Sequence, residues 1–162
     1  MCSLNVLIRG TKVGKTNEPV SKEIPNFALQ LFITLTDMKK VIATTSAPAA
    51  IGPYSQAIEA GGMVFVSGQL PVDPATGAFA EGGIKELTHQ SLTNIKAILN
   101  EAGLTMDNVV KTSVFLADMN DFAAMNEVYA TFFNGNAPAR SAVAVKELPK
   151  GARVEIECIA VR

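Results

Sequence analysis

Arg140 closes the run Pro138-Ala139-Arg140, where a proline fixes the backbone ahead of a guanidinium. A guanidinium stays charged and presents paired, coplanar N–H donors, which suits a carboxylate. Glu155 lies in the alternating run Val154-Glu155-Ile156-Glu157-Cys158. Alternation turns it away from the Val154 and Ile156 face, in the same direction as Glu157. A carboxylate on a half-buried strand can have a raised pKa and serve as acid or base. As bare residues, Arg140 reads more readily as a surface arginine at a strand start, and the alternative for Glu155 is a solvated or salt-bridged sheet carboxylate. Tyr54, in the turn Gly52-Pro53-Tyr54, could flank a ligand or simply pack. Ser67 and Gly68 end a strand, and the missing side chain at Gly68 would let a ligand reach the backbone N–H.

Other chemistries are excluded by what is scarce. His89 is the only histidine, and Cys2 and Cys158 stand at opposite ends of the chain. These residues cannot make a usual structural zinc site or a zinc deaminase centre with one histidine and two cysteines. His89 falls between Thr88 and Gln90 on a helical pattern, so it reads as a helix-surface residue rather than a triad base. If the chain is an enzyme, metal-free chemistry without a histidine base remains, and no cofactor is expected. The cysteine pattern predicts no disulfide framework and fits a reducing, cytoplasmic setting. The formal net charge is −1 with no basic stripe, so nucleic-acid binding is not expected. The apolar run at 27–35 is shorter than the roughly 20 residues of a membrane span.

Residues 1–37 differ in character from the rest and read as a poorly ordered extension. Gly10-Thr11-Lys12-Val13-Gly14-Lys15-Thr16 imitates a phosphate-binding loop but has three residues, not four, between its glycines. Met38-Lys39-Lys40 looks like a natural beginning for the domain that follows.

From there the pattern is regular. A strand is expected at 40–44 and a proline- and glycine-bearing loop at 45–55. A hairpin follows, 56–60 and 63–67 around Gly61-Gly62. Ile84, Leu87, Leu92, Ile95, Ile98, Leu99 and Ala102 predict a helix over 84–102 capped by Gly103. A strand at 109–117 precedes a second helix, capped by Asn120 or Asp121 and carrying Phe122, Met125, Val128, Tyr129, Phe132 and Phe133. Strands at 141–146 and 153–161 close the chain. The order β-β-β-α-β-α-β-β predicts an α+β fold with two helices on one face of a mixed sheet. In the strand at 109–117, Val110, Val114 and Leu116 are expected on one side, with Val109, Lys111, Ser113 and Phe115 on the other. Both sheet faces carry apolar residues, so the face without helices predicts subunit association.

Three motifs now stand in order: Ala50-Ile51-Gly52-Pro53-Tyr54-Ser55-Gln56, Val66-Ser67-Gly68-Gln69-Leu70-Pro71 and Pro138-Ala139-Arg140-Ser141. With the final run from Val154 to Val161, they resemble the Rid family of YjgF-like proteins over essentially all of 38–162. The resemblance implies a chorismate-mutase-like homotrimer with pockets between subunits. It implies metal-independent hydrolysis of 2-enamine and 2-imine acids, such as 2-aminoacrylate and 2-iminobutanoate, to 2-keto acids and ammonia. Arg140 would hold the carboxylate and Glu155 would handle the water, while Tyr54, Ser67, Gly68 and Asn126 would line the pocket. Many family members have cysteine two residues after the arginine, where this chain has Ala142. A thiol route at that place is therefore excluded. Non-catalytic sensing of small 2-keto or amino acids, and a chaperone-like role, are the alternatives.

Overall fold

The computed structural model describes residues 39–133 and 135–162. The expectations for residues 1–37, including the imitation phosphate loop, lie outside the described residues.

The elements follow the expected order: β1 (Lys40–Ile42), β2 (Ala57–Ala60), β3 (Met63–Gln69), α1 (Ile84–Glu101), β4 (Val109–Leu116), α2 (Phe122–Ala130), β5 (Ala139–Ala144) and β6 (Val154–Val161). They form one six-stranded sheet in the order β1-β2-β3-β6-β4-β5. Every neighbouring pair is antiparallel except β4 and β5, which run parallel across the α2 connection.

The hairpin turns on Gly61 and Gly62, both at positive φ (58° and 77°), which is the tight mirror-image turn that strand twist favours. Helix α1 buries Ile84, Leu87, Leu92, Ile95, Ile98 and Leu99 against the sheet, so one face of the sheet becomes the core. Gly103, at φ 72°, ends that helix: its N–H bonds the Asn100 carbonyl while Leu104 N–H bonds Leu99. That paired closure is the one a left-handed residue permits. Buried Asn94 donates from α1 to the carbonyls of Leu70 and Val72, fixing the turn-rich stretch after β3.

Three local expectations are corrected. Val109 is 6% exposed and Val110 is 45% exposed, the reverse of the predicted facing. Between Val109 and Lys111, β4 is out of register with β6, whose partners Ala160 and Ile159 are adjacent. The extra residue is a bulge, and it inverts alternation at that end of the strand. Neither Asn120 nor Asp121 caps α2 with its side chain. Asp118 caps the short turn before it by accepting from Asn120 N–H, while Asp121 pairs with Arg153 at 2.6 Å. Finally, α2 stops at Ala130, and β5 starts at Ala139, so Arg140 lies within a strand rather than ahead of it.

Candidate active site

Arg140 stands in register with Thr112 on the parallel neighbour β4. Thr112 is buried and faces α2, so Arg140 faces the helices as well. Helix α2 carries Phe122, Asn126 and Tyr129 on one stripe, at steps of four and three residues. The Arg140 Cζ lies 4.5 Å from the Tyr129 ring centroid and 5.5 Å from that of Phe122. Among the described residues no carboxylate pairs with this guanidinium. Asn126, Tyr129, Phe133, Pro138 and Arg140 line a cleft of about 300 Å³. A half-exposed cation above aromatic faces, with donors uncommitted among the described residues, has the chemistry to receive a small planar anion.

Glu155 pairs with Phe115 and alternates with buried Val154 and Ile156, so it lies on the opposite, helix-free face of the sheet. Its carboxylate rests on Gly68: a Cβ built there would meet Glu155 Oε1 at 1.9 Å. Gly68 leaves the space that the carboxylate occupies, and its φ lies outside the left-handed region. It belongs to a bulge, because the ladder to β6 slips between Val66 and Gln69. Burial, and then the negative charge of Glu157, push the Glu155 carboxyl above its ordinary value. A proton is therefore held more tightly there than in water.

Tyr54 and Gly68 line a second cleft, of about 200 Å³, with Gln69 and Lys150. The loop bearing Tyr54 is held by Gln56. Its buried amide donates to the carbonyls of Thr44, Ala47 and Pro48 and accepts from Thr44 N–H at 2.7 Å. The Ser67 hydroxyl donates to the Ser55 carbonyl at 2.7 Å, so it ties the same loop to β3.

The predicted residues thus fall into two groups. Arg140 and Asn126 share the α2–β5 cleft; Tyr54 and Gly68 share the other, with Glu155 against Gly68. A single chain does not bring Arg140 and Glu155 together. Phe122, Tyr129 and Thr112 were not singled out as site residues, although Phe122 and Tyr129 share the Asn126 stripe by helical spacing. His89 is exposed on α1, edge-on to the Phe132 ring. Cys158 is buried, and burial pushes its thiol up to about 12, so no thiolate forms near neutral pH. Ala142 faces the core beside Val114. No group of three or more metal-binding side chains occurs among the described residues.

An α+β domain with two helices on one sheet face and an uncommitted arginine on its edge strand defines the class to which comparison can be made. A profile of the endoribonuclease L-PSP family matches residues 44–162, and this chain belongs to that family, the YjgF/Rid group. The 2-iminobutanoate/2-iminopropanoate deaminase of Mus musculus is 54% identical over 125 residues, covering 77% of this chain and 93% of that protein. The protein of the same name from Salmonella typhimurium is 55% identical over 128 residues, covering 77% and 99%. The crystal structure of E. coli TdcF with bound serine superposes with a TM-score of 0.73 at 48% identity, covering 76% of this chain and 98% of that one.

Proposed function

We propose that this chain hydrolyses 2-imino acids, and their 2-enamine tautomers, to 2-keto acids and ammonia. The observation that carries the reading is the uncommitted Arg140 guanidinium held over Tyr129 in a small cleft. The mouse and Salmonella relatives named for this activity support it, as does TdcF, whose bound serine also carries a carboxylate.

Arg140 takes the substrate carboxylate through two parallel hydrogen bonds, and the Gly68 N–H assists from the other group. Tyr54 and Asn126 flank the ligand. Water adds to the C=N carbon, forming a C–O bond while the nitrogen gains a proton. Glu155 accepts the proton that water loses and returns it to nitrogen. Glu155 then carries the hydroxyl proton to the amino nitrogen as the C–N bond of the amino alcohol breaks and the C=O bond forms, releasing keto acid and ammonia. For the enamine, a protonated Glu155 first delivers a proton to the terminal carbon. A carboxyl whose pKa is pushed up suits both duties. The electrophile is already reactive, so positioning and proton transfer suffice without the thiol that Ala142 replaces.

The working site is completed between subunits of a homotrimer. Support comes from Arg140 and Glu155 lying on opposite faces of one sheet, and from half-exposed Met63 and Phe65 on the helix-free face. The cysteine pattern supports a cytoplasmic setting, and no helix of the described residues is long and apolar enough to cross a membrane.

The test generates 2-aminoacrylate or 2-iminobutanoate in situ and follows keto-acid release. Wild-type protein accelerates release and Arg140→Ala does not. Full activity in Arg140→Ala removes the assignment of that residue. No acceleration by wild type, with keto-acid binding retained, makes the chain a sensor instead.

A further inference from the structure

We infer that Tyr129 is a positioning residue for Arg140, and that Thr112 anchors it. This rests on the carboxylate-binding reading of Arg140 and names the device that makes it selective.

An arginine on an edge strand loses much rotamer freedom when it binds an anion, unless something holds it beforehand. Arg140 has no carboxylate partner among the described residues to do this. What holds it is a ring. Tyr129 is 4% exposed, its centroid lies 4.5 Å from Arg140 Cζ, and Phe133 packs against it with centroids 4.7 Å apart. The phenol is tied to the Thr112 hydroxyl at 2.7 Å, and Thr112 is 1% exposed on β4, in register with Arg140 itself. The ring is therefore fixed at one end by β4 and flanked by Phe133, just beyond the end of α2. Arg140 is stacked on it from the adjacent strand. Stacking satisfies the face of the guanidinium and leaves its N–H edge for a ligand. Burial raises the pKa of the phenol, so the ring stays neutral and does not compete as an ion-pair partner. The arrangement uses the cation's π-face for position and its edge for recognition.

The prediction concerns recognition of the acid group. Wild-type protein binds 2-oxobutanoate and discriminates against its amide, 2-oxobutanamide. Tyr129→Leu weakens 2-oxobutanoate binding about tenfold, within the range of a desolvated cation–π contact, while amide binding changes less than about threefold. KM rises correspondingly and kcat changes little. Tyr129→Phe keeps the ring but not its bond to Thr112, so it loses about threefold of the preference, less than Tyr129→Leu loses. Thr112→Val, which removes only the anchor, loses about threefold of it. Leu99→Ala in the core of α1 is the stability control, lowering the melting temperature without moving the acid-over-amide ratio. Calorimetry on the full chain reads all five proteins. If Tyr129→Leu does not fold, Thr112→Val decides. A wild-type ratio in whichever variant decides overturns the inference and leaves the deaminase reading intact. Wild-type protein that binds neither compound and hydrolyses no imine overturns that reading instead.

Discussion

Arg140 and Glu155 are held by opposite means. The arginine is a cation at an open edge, steadied by aromatic faces that do not neutralise it. The glutamate is an anion pressed onto a glycine, beside a second carboxylate that disfavours its charge. The guanidinium is left charged, whereas burial and Glu157 raise the proton affinity of the carboxylate. On the proposed function the contrast would separate binding from turnover: the arginine cleft would recognise, and the glycine-backed carboxylate would move protons.

The largest expected effect breaks the arginine side alone. Arg140→Lys keeps the charge but loses the fork and the stacking plane, and kcat/KM for imine hydrolysis should fall about 100-fold or more. Mixing then asks whether the two groups meet between chains. Arg140→Ala and Glu155→Gln are each expected to be inactive, yet co-assembled they should regain activity, whereas the double variant in one chain should not. Mixtures that stay inactive would separate the two groups for good.

Gly68→Ala attacks the other side. Its Cβ would fall 1.9 Å from Glu155 Oε1, so the carboxylate must move. Displacing a proton-transfer group by about an ångström can cost up to about 100-fold, and the loss should appear in kcat more than in KM. A wild-type kcat in Gly68→Ala would mean that the position of Glu155 does not matter.

The order of elements was legible because hydrophobic spacing and paired glycines report local geometry directly. The α1 stripe and the Gly61-Gly62 hairpin depend on near neighbours, and both appear as expected. Bulges were not legible. Val109 and Val110 are chemically identical, and only the register against β6 decides which one is buried. The site was legible in its parts but not in its grouping. Arg140 and Glu155 stand out as residue types, but their separation onto two faces follows from β5 pairing with β4 at the sheet edge. Tyr129 read as a core aromatic because nothing in its own neighbourhood says which cation the topology will lay across it.

Ser67 sharpens the comparison at smaller scale. It is one of the expected pocket residues, and its hydroxyl donates to the Ser55 carbonyl. Ser67→Ala should therefore lower stability by about 1 kcal/mol in chemical denaturation and change KM less than about threefold. A large change in KM with stability preserved would return Ser67 to the ligand.

The smallest effect has an instructive sign. In the folded chain Glu155 binds its proton more tightly than in the unfolded chain, because burial and Glu157 disfavour its charge. As pH rises from the ordinary value of 4.5, the folded state must give up a proton that the unfolded state has already released. Glu155 therefore subtracts stability above that range and subtracts none well below it. Glu155→Gln removes the penalty, so the variant should melt slightly higher than wild type at pH 7. The gap should close as pH falls through the ordinary carboxylate range. Scanning calorimetry across that range reads the sign directly. The same variant should be inactive, which would make Glu155 a residue kept at a cost to stability. Equal melting temperatures at pH 7 would mean that a positive charge in the assembly offsets its burial, and that its proton affinity at the working site is ordinary.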